Sequence, residues 1–389
     1  MSDAGIVRKE YAIYVITKHG LDIAANIRKA LPQADMYVSP RQIASAPADA
    51  KELSLPMGPT LQATFQEYNC HIFIISVGAV VRMIKDLLVN KKVDPAVVCV
   101  DDGARFSICV LSGHVGRGNY FTERVAESIA ATPVITTASD VRGTLTVDIL
   151  GRDLGWTLDD MDRNVTHGCA AVVNETRVAF IQETGEPDFW PADKALPPGV
   201  EYYTDPEQVD PASFEVLLWP TDRDVKARYP DHWSNAVIYR PRSLVLGLGC
   251  DRDTPADIIE RGVLKTLKEF GLSVKSVKAI ASIDKKQDEA GLIALAEKYD
   301  WPFHVYPAAE LDVVPGIENP SETVKKYVGT RAVAEPACLL AAGAEKLLVA
   351  KQAYKEPQDK HNMTMAIARI PFAKRAAGTP AAVAGGASS

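Results

Sequence analysis

The chain of 389 residues has few of the features that mark secreted, membrane or zinc-binding proteins. Its six cysteines are scattered and form no Cys-x-x-Cys pair, which argues against a zinc site and against a disulfide framework. No apolar run is long enough to span a bilayer. The first residues are not a basic segment followed by an apolar stretch, so we expect no signal peptide. The sequence therefore predicts a cytoplasmic protein with no membrane contact.

A basic stripe with interleaved aromatic residues is also missing. The net charge of −7 is spread along the chain, which argues against a nucleic-acid partner. With 47% hydrophobic and 24% charged residues, the composition is that of a globular protein. The length is too great for a single ordinary core, so two or three domains are expected.

The first 150 residues alternate between strand-like and helix-like segments. Such alternation favours a mostly parallel sheet that is covered on both faces. Residues 101–103 predict a turn that joins two of the strands as a hairpin. The predicted strands are 11–16, 71–77, 96–100, 106–111 and 133–137, and the predicted helices are 21–31, 79–89 and 120–131.

The composition and hydrophobic pattern change twice in the remaining sequence. Residues 151–241 are rich in Pro, Asp, Trp and Tyr, and they predict a smaller middle domain that is β-rich or irregular. Residues 242–373 again alternate strands with helices and predict a second α/β domain of common size. Residues 374–389 are mostly Ala, Gly, Ser and Pro and predict a disordered tail. The predicted fold class is therefore two α/β domains with mostly parallel sheets, 1–150 and 242–373, separated by the middle domain.

A histidine lies inside a glycine-rich loop at residues 111–119. An apolar strand leads into the loop and an amphipathic helix follows it, a position where α/β folds place ligands. Glycines let backbone N–H groups approach a ligand, and a helix start attracts negative charge. His114 adds a group that can move protons near neutral pH. The alternative is a tight turn with glycine at left-handed positions and a histidine that caps it, and this segment alone does not separate the two.

Two further clusters follow predicted strands in the first domain. Arg82 and Lys85 lie three residues apart after Gly78 and share a helix face, where Arg82 could hold ligand carboxylates. The alternative is a solvated helix face, which we favour for Lys85. Residues 136–140 carry four small polar side chains that could bind a ligand or cap the next helix, and the sequence leaves both open.

The second α/β domain contributes a glycine turn and two charged segments. The turn at residues 247–252 resembles a dinucleotide-binding loop, but Arg252 stands where the third glycine is required. We therefore reject binding of NAD or S-adenosylmethionine by this motif. Residues 282–289 carry two lysines and three acids in a strand-to-helix connection, which is normally just solvated. Glu335 stands at a helix start, where it could act as a base or favour the helix dipole.

Together these segments resemble the cobalt-precorrin-5A hydrolase family (CbiG) of anaerobic cobalamin biosynthesis. No single segment is decisive, and their order and spacing make the match specific. The chain departs from the family pattern at Arg117, and again at Asp251 and Asp253, which puts ligand contacts at those positions in doubt. The segments that carry the resemblance are residues 78–82, 92–97, 111–114, 133–138, 246–250, 280–286, 288–289, 333–337 and 363–368.

The resemblance implies a hydrolase that acts on a cobalt-bearing contracted tetrapyrrole. In that family the enzyme opens a δ-lactone between the ring A acetate and the extruded meso carbon. The extruded carbon and its methyl group leave as acetaldehyde, and cobalt-precorrin-5B remains. Cobalt arrives with the substrate, so the resemblance implies no cofactor and no metal held by protein ligands.

This reaction needs a base for water and donors for the oxyanion. We expect His114 to be the base and the loop amides of residues 113–119 to be donors, while His114 again or Glu335 serves the carbon–carbon cleavage. The substrate's acetate and propionate arms require polar and cationic contacts. The residues expected to bind substrate are Gly78, Arg82, Ser112, Gly113, Gly116, Gly118, Asn119, Thr136, Thr137, Gly247, Gly249, Cys250, Lys285 and Glu289.

A large flat ligand fits a cleft between two domains, so we expect the two α/β domains to face each other across it. The alternative function is a non-catalytic carrier of cobalt-corrinoid intermediates, which would need the loops but no proton-moving residue. A homodimer and transient contacts with other enzymes of the pathway are compatible with the sequence. Acetaldehyde release on mixing with substrate separates the enzyme from the carrier.

Overall fold

The computed structural model describes residues 8–373 and divides into two compact units, one ending at Ile149 and the other starting at Leu150. The first unit is built on one sheet and the second unit on two. Among the described residues, no helix is both long enough and apolar enough to cross a membrane. The predicted disordered tail, 374–389, lies outside the described residues. The division into three domains at residues 150 and 241 stays a prediction.

The first unit contains a seven-stranded sheet with helices on both faces. Its strands are β1 (Lys9–Val15), β2 (Asp35–Val38), β3 (Lys51–Glu52), β4 (Tyr68–Ile74), β5 (Ala96–Val100), β6 (Phe106–Leu111) and β7 (Thr132–Val134). Its helices are α1 (Lys18–Ala30), α2 (Gly58–Thr64), α3 (Val77–Ile84), α4 (Gly118–Ile129) and α5 (Ala138–Arg142). The strand order is β3-β2-β1-β4-β5-β6-β7.

Alternation along β1 shows why both faces of this sheet are covered. Ile13 and Val15 contribute to the core beneath α1 and α4, while Ala12 and Tyr14 contribute to a separate core on the other face. Because successive side chains of a strand point to opposite faces, a strand buried on both sides is apolar throughout. The unbroken apolar run in the sequence is the signature of this arrangement.

The predicted hairpin between residues 96–100 and 106–111 is confirmed, since β5 and β6 pair in antiparallel fashion. Val100 pairs with Ile74 at the carboxyl end of β4 and with Ser107 near the start of β6. Leu111, at the end of β6, pairs instead with Val97 near the start of β5. The loop after β6 therefore lies at the opposite end of the sheet from the loop after β4. The four residue-to-residue steps from Ser107 to Leu111 correspond to roughly 13 Å of strand.

The second unit begins with a five-stranded sheet. Its strands are β8 (Thr157–Leu158), β9 (Val178–Ile181), β10 (Val200–Tyr203), β11 (Val216–Pro220) and β12 (Ala236–Arg240), in the order β10-β9-β11-β12-β8. Its helices are α6 (Val165–Val173), α7 (Val225–Arg228) and α8 (Pro230–Ser234). Only β8 runs antiparallel to its neighbour, so this middle segment is itself a mostly parallel α/β layer. Its helices have nine residues or fewer, too short for helical periodicity to be visible in the sequence.

The last part of the second unit is another five-stranded sheet. Its strands are β13 (Leu244–Cys250), β14 (Val277–Ile283), β15 (Phe303–Tyr306), β16 (Leu347–Lys355) and β17 (Asn362–Arg369), in the order β15-β14-β13-β17-β16. Its helices are α9 (Ala256–Glu269), α10 (Ala290–Tyr299), α11 (Ala308–Asp312), α12 (Glu322–Val328) and α13 (Ala334–Ala342). Strands β13, β14 and β15 are parallel, and β16 and β17 pair in antiparallel fashion. The prediction of an α/β fold with mostly parallel sheets is confirmed.

A buried ion pair links the two sheets of the second unit. The Asp222 carboxylate, which is fully buried, accepts two hydrogen bonds of 2.7 Å each from the guanidinium of Arg369 at the end of β17. It also accepts a hydrogen bond of 2.8 Å from Ser243 Oγ, just before β13. Arg369 thus neutralises a carboxylate that would otherwise be costly to bury.

The fold also makes a prediction about acid sensitivity through His71 in β4. His71 is fully buried, with Nδ1 3.0 Å from the Tyr14 hydroxyl and Nε2 3.0 Å from the carbonyl oxygen of Phe65. Burial lowers the pKa of His71 to about 4. The unfolded chain therefore binds this proton at a higher pH than the folded chain. The contribution to the free energy of unfolding is fully present above about pH 6.5 and is lost as the pH falls to about 4, by about 3 kcal/mol.

Urea unfolding of the wild type and of His71→Phe between these pH values measures that contribution. We expect the unfolding free energy of the variant to fall less steeply as the pH drops, because phenylalanine cannot take up the proton. Carboxylates elsewhere in the fold titrate equally in both proteins and cancel in the comparison. Equal slopes for the two proteins would show that His71 does not carry the effect.

Candidate active site

The loop that holds His114 connects β6 to α4 and is closed by its own backbone. The N–H of Gly118 donates to the carbonyl of Ser112 at 2.8 Å, and the N–H of Arg117 donates to the carbonyl of His114 at 2.9 Å. The left-handed residues of the loop are Ser112 (φ 56°) and Arg117 (φ 63°) rather than its glycines. The alternative of glycines at left-handed positions is therefore wrong.

Close packing explains the glycines of this loop. A Cβ on Gly118 would lie 2.7 Å from the carbonyl oxygen of Leu111, and one on Gly113 would lie 2.7 Å from Oδ1 of Asn119. A Cβ on Gly116 would lie 2.5 Å from Cβ of Ser112. The space that these glycines leave open is filled by protein atoms, so the glycines shape the loop. Their predicted contact with substrate stays a prediction.

Six residues form what we call the His114 cluster: His114, Asn119, Thr137, Ser139, Asp140 and Asp148. Nε2 of His114 lies 2.7 Å from Oδ2 of Asp140 and 3.1 Å from Oγ of Ser139. Nδ1 of the same ring lies 3.3 Å from Oδ1 of Asp148. The imidazole is thus placed between two carboxylates, one at each ring nitrogen.

The two carboxylates change the proton affinity of the histidine. The contact with Asp148 raises the pKa of His114 above its usual value; partial burial opposes this effect, and Asp140 adds to it. Burial alone would raise the pKa of Asp140, but hydrogen bonds from Thr137 and His114 bring it below the usual value. The two contacts therefore favour the imidazolium form of His114.

Neighbouring polar side chains hold Asp140 in place. The hydroxyl of Thr137 donates to Oδ2 of Asp140 at 2.5 Å, and Nδ2 of Asn119 donates to the same oxygen at 3.0 Å. Nδ2 of Asn119 also donates to the hydroxyl of Thr137 at 2.8 Å. Since β6 and β7 are parallel, the segments that follow them meet at the same end of the sheet. Asn119 and Thr137 are thus brought to the histidine, whereas Thr136 is exposed beside them.

The structure does not bring Gly78 and Arg82 to the His114 cluster. Both residues follow β4, and the antiparallel pairing of β5 with β6 places that end of the sheet opposite the His114 loop. Nη1 of Arg82 donates to the carbonyl of Gly78 at 2.9 Å and the side chain is exposed. This geometry argues against a shared site for Gly78, Arg82 and His114, because one strand reverses direction between them.

In the second unit, Gly249 and Cys250 line a pocket of about 300 Å³ at the carboxyl end of β13, which we call the C-terminal pocket. Burial raises the pKa of the Cys250 thiol. The cations of this pocket are Arg331, which is paired with Asp312, and Lys351 on β16. Lys285 is exposed, and its Nζ donates to the carbonyl of Val328, another lining residue. This volume is at the lower end of the range for pockets that bind drug-sized ligands.

Glu335 lies near this pocket but is fully buried and hydrogen-bonded. Its Oε2 accepts from the backbone N–H groups of Glu318 and Asn319, at 2.9 and 3.0 Å. Its Oε1 accepts from Nδ2 of Asn319 at 2.8 Å and from the backbone N–H of Lys351 at 2.9 Å. These bonds bring the pKa of Glu335 below its usual value, although burial alone would raise it. This geometry favours a structural role for Glu335 over proton transfer.

Two other residues expected to bind substrate have structural explanations of the same kind. A Cβ on Gly247 would lie 1.8 Å from the carbonyl oxygen of Ala334, so this glycine allows α13 to pack closely on β13. Glu289 is buried and accepts hydrogen bonds of 2.8 Å from the backbone N–H of Asp253 and from Nζ of Lys286. These contacts fix the turn after β13 to the start of α10.

The described residues contain no group of three or more histidines, cysteines or acids that could hold a metal ion. Sequence reasoning missed Asp148 and Lys351, which the structure places at the His114 cluster and in the C-terminal pocket. Neither residue belongs to a recognisable motif. Only contact between segments distant in the chain reveals them.

The fold and the His114 cluster define an α/β protein with a histidine–carboxylate site, and comparison with known families is consistent with this class. Three family models match consecutive parts of the chain. They are described as cobalamin synthesis G N-terminal (residues 59–140), cobalamin biosynthesis central region (145–241) and cobalamin synthesis G C-terminus (244–368). Together, the three matches include residues of both units of the structure.

Curated relatives point to the same family. The chain is 41% identical over 370 residues to the cobalt-precorrin-5A hydrolase of Priestia megaterium, covering 94% of this chain and 96% of the relative. It is 30% identical over 295 residues to the cobalt-precorrin-5A hydrolase of Salmonella typhimurium strain LT2. This match covers 74% of this chain and 80% of the relative. The chain therefore belongs to the CbiG family, as the resemblance in the sequence indicated.

Solved structures with similarity to the chain also come from cobalamin biosynthesis. A cobalamin biosynthesis protein G homologue from Sulfolobus solfataricus is 18% identical, with a TM-score of 0.37, covering 93% of this chain and 98% of that one. CobE, a protein of the cobalamin biosynthetic pathway, is 34% identical, with a TM-score of 0.30. This match covers 34% of this chain and 94% of the CobE chain. The family assignment rests on the sequence matches.

Proposed function

We propose that this chain is a hydrolase of anaerobic cobalamin biosynthesis that opens the δ-lactone of cobalt-precorrin-5A and releases acetaldehyde, giving cobalt-precorrin-5B. The observation that carries the proposal is the 41% identity, over 94% of the chain, to a relative named cobalt-precorrin-5A hydrolase. The names of the relatives do not favour the carrier alternative. For a chain with this role we also propose a cytoplasmic location, which fractionation of cells tests.

The reaction can be written as two steps. Water adds to the lactone carbonyl and the ring oxygen leaves, which frees the ring A acetate and a hydroxyl on the extruded carbon. That hydroxyl then loses its proton, its carbon forms the aldehyde, and the bond to the macrocycle breaks. The electron pair of the broken bond enters the conjugated ring system, which takes up a proton. Cobalt stays with the substrate throughout, so no protein-bound cofactor is needed in the proposal.

His114 is the residue that we assign to proton transfer. In its neutral form the imidazole accepts a proton from water or from the freed hydroxyl, and the imidazolium returns it to the departing oxygen or the ring. A histidine whose pKa lies near the working pH is suited to both roles. The backbone N–H groups of Arg117, Gly118 and Asn119 donate within the protein, so we withdraw these three as oxyanion donors.

The C-terminal pocket is the part of the second unit that we assign to a carboxylate arm of the substrate. Lys351 supplies a cation, and Thr364 and Asn362 add polar side chains to the lining. Nζ of Lys351 lies 3.2 Å from the carbonyl of Asn319, a weak neutral partner that an anion can replace. Arg331 is already neutralised by Asp312 and contributes less.

Replacing Lys351 with alanine tests this assignment. We expect the dissociation constant for the corrinoid substrate to rise by about 10-fold, as for the loss of one charge-assisted hydrogen bond. Turnover of bound substrate should change little, because such a contact is equal in the ground state and the transition state. Arg82→Ala is the matched control, an exposed cation at the other end of the first sheet from His114, and it should leave binding within twofold. A larger effect at Arg82 than at Lys351 would reverse the assignment.

The test of the function itself is a product analysis. Purified protein is mixed with cobalt-precorrin-5A without oxygen, and the corrinoid is examined by mass spectrometry. The proposal predicts a product that has gained one water and lost one acetaldehyde. Recovery of unchanged substrate bound to the protein would support a carrier and overturn the proposal.

A further inference from the structure

The Asp148 carboxylate lies at the imidazole of His114 but has no part in the reaction as described above. Its Oδ1 atom is 3.3 Å from Nδ1 of His114, and its side chain is only 10% exposed. Among the described residues, no donor makes a well-aligned hydrogen bond to this buried oxygen. A buried carboxylate without a compensating charge is costly. The imidazolium of His114 is therefore the charge that makes burial of Asp148 acceptable.

Asp140, on the other ring nitrogen, has different surroundings. Its side chain is 40% exposed, and it accepts hydrogen bonds from Thr137 and Asn119 as well as contacting His114. Asp140 is thus satisfied by water and by neighbours whether or not the histidine is charged. The two carboxylates are unequal, and Asp148 is the one that depends on the histidine.

We propose that Asp148 is a positioning residue that orients the His114 ring by holding its Nδ1 side, so that Nε2 exchanges protons with the substrate once the substrate replaces Asp140 at that nitrogen. A buried carboxylate at one ring nitrogen fixes the ring for reaction at the other, as in the histidine–aspartate pairs of hydrolases. Nε2 faces Asp140 and Ser139 on the more exposed side of the cluster. The proton path would therefore lie along the start of α5.

The carboxylates of Asp140 and Asp148 contact the ring, and the Cys109 thiol interacts with the charge of Asp140. Asp140 comes from α5, Asp148 comes from the segment after it, and Cys109 lies in β6. Burial raises the pKa of Cys109, and Asp140 raises it further, so the thiol is neutral at the pH of interest. The Asp148 contact is the largest influence that raises the pKa of His114.

The positioning role is tested first in the free protein, without substrate. Nitrogen-15 NMR titration of the wild type should give a His114 pKa above 6.5. In Asp148→Asn we expect the His114 pKa to fall by about one unit or more, since an opposite charge at this distance shifts a pKa by that amount. Asp86→Asn, which removes a carboxylate whose side chain is 83% exposed, should leave the titration unchanged. An unaltered titration in Asp148→Asn would overturn the proposal.

The catalytic half of the proposal rests on the proposed function and is tested by kinetics. The acid limb of the profile of kcat/KM against pH should shift to lower pH in Asp148→Asn, and the maximal rate should fall roughly 10–100-fold. A lower melting temperature with the acid limb unmoved would mean that Asp148 is merely structural. Should Asp148→Asn fail to fold, the wild-type titration alone decides, and a His114 pKa at or below 6.5 would overturn the positioning role. If the wild type releases no acetaldehyde, the proposed function fails while the NMR result still stands.

Discussion

Acetaldehyde release from cobalt-precorrin-5A is expected to fall by roughly 10²–10⁴-fold when His114 is replaced by asparagine, the usual range for a general acid–base group. Asparagine approximates the size of the ring and can still donate a hydrogen bond to a carboxylate, but it cannot accept and release the proton. The fold should persist, because the loop is closed by backbone hydrogen bonds that do not involve the imidazole. The measurement is acetaldehyde formed per protein molecule over time, without oxygen, together with the melting temperature.

His167→Asn is the control for this prediction. His167 lies in α6 of the second unit, has a side chain that is 49% exposed and contacts Glu215, so its replacement removes a different histidine–carboxylate pair. Its activity should remain within twofold of the wild type. Near-normal turnover in His114→Asn would remove His114 from the mechanism. A parallel loss of melting temperature, corrinoid affinity and activity would instead mean that the histidine only shapes the loop.

Loss of stability is the expected result of replacing Glu335 with alanine. The substitution leaves three backbone N–H groups and one side-chain amide without their buried acceptor. Each such group costs about 1–3 kcal/mol, and because the effects do not add fully we expect about 3–5 kcal/mol in total. For a unit of this size that corresponds to a fall in melting temperature of roughly 10 °C or more. Turnover per folded molecule should stay close to that of the wild type.

Glu335→Gln is the matched variant, since it keeps the shape and one acceptor but turns the other oxygen into a donor that faces donors. We expect a smaller loss of stability than for alanine, with activity again retained. The two variants therefore separate structure from chemistry. If both keep the wild-type melting temperature while turnover falls by 100-fold or more, Glu335 is a proton-moving residue after all and the structural role is wrong.

Much of the fold could be predicted because local signals were strong. The apolar runs of β1, β4 and β5 are buried on both faces, and the hairpin turn after β5 was visible in the sequence. The consequence of that hairpin was harder to see. Reversal of one strand moves the His114 loop to the other end of the sheet from Arg82, and no local pattern indicates which strand ends share an edge.

The site could be predicted only in part, for a related reason. His114, Asn119 and Thr137 follow strands and were found by that position, whereas Asp148 reaches the ring from a later segment without a motif. In the sequence, a buried structural glutamate such as Glu335 cannot be told from a catalytic one, because the residue type is the same. Only their partners separate the two roles, and those partners are backbone groups that the sequence does not specify.

The departures from the family pattern also have local explanations in the structure. The Arg117 guanidinium lies 4.4 Å from the ring centre of Tyr120, a cation–π contact at the start of α4. Oδ2 of Asp251 accepts from the backbone N–H and the side chain of Asn362, which joins the end of β13 to the start of β17. Asp253 adopts the left-handed conformation at φ 61° in the turn that Glu289 fixes. These residues stabilise their loops and need no change in function.

The central claim is that the chain catalyses lactone opening and release of acetaldehyde, and the direct measurement is acetaldehyde formed with substrate in large excess over protein. The proposed function predicts many molecules of acetaldehyde per protein molecule. His167→Asn should remain active, and His114→Asn should form almost no acetaldehyde. Tight binding of the corrinoid with no acetaldehyde from the wild type would contradict the account and leave a carrier in its place.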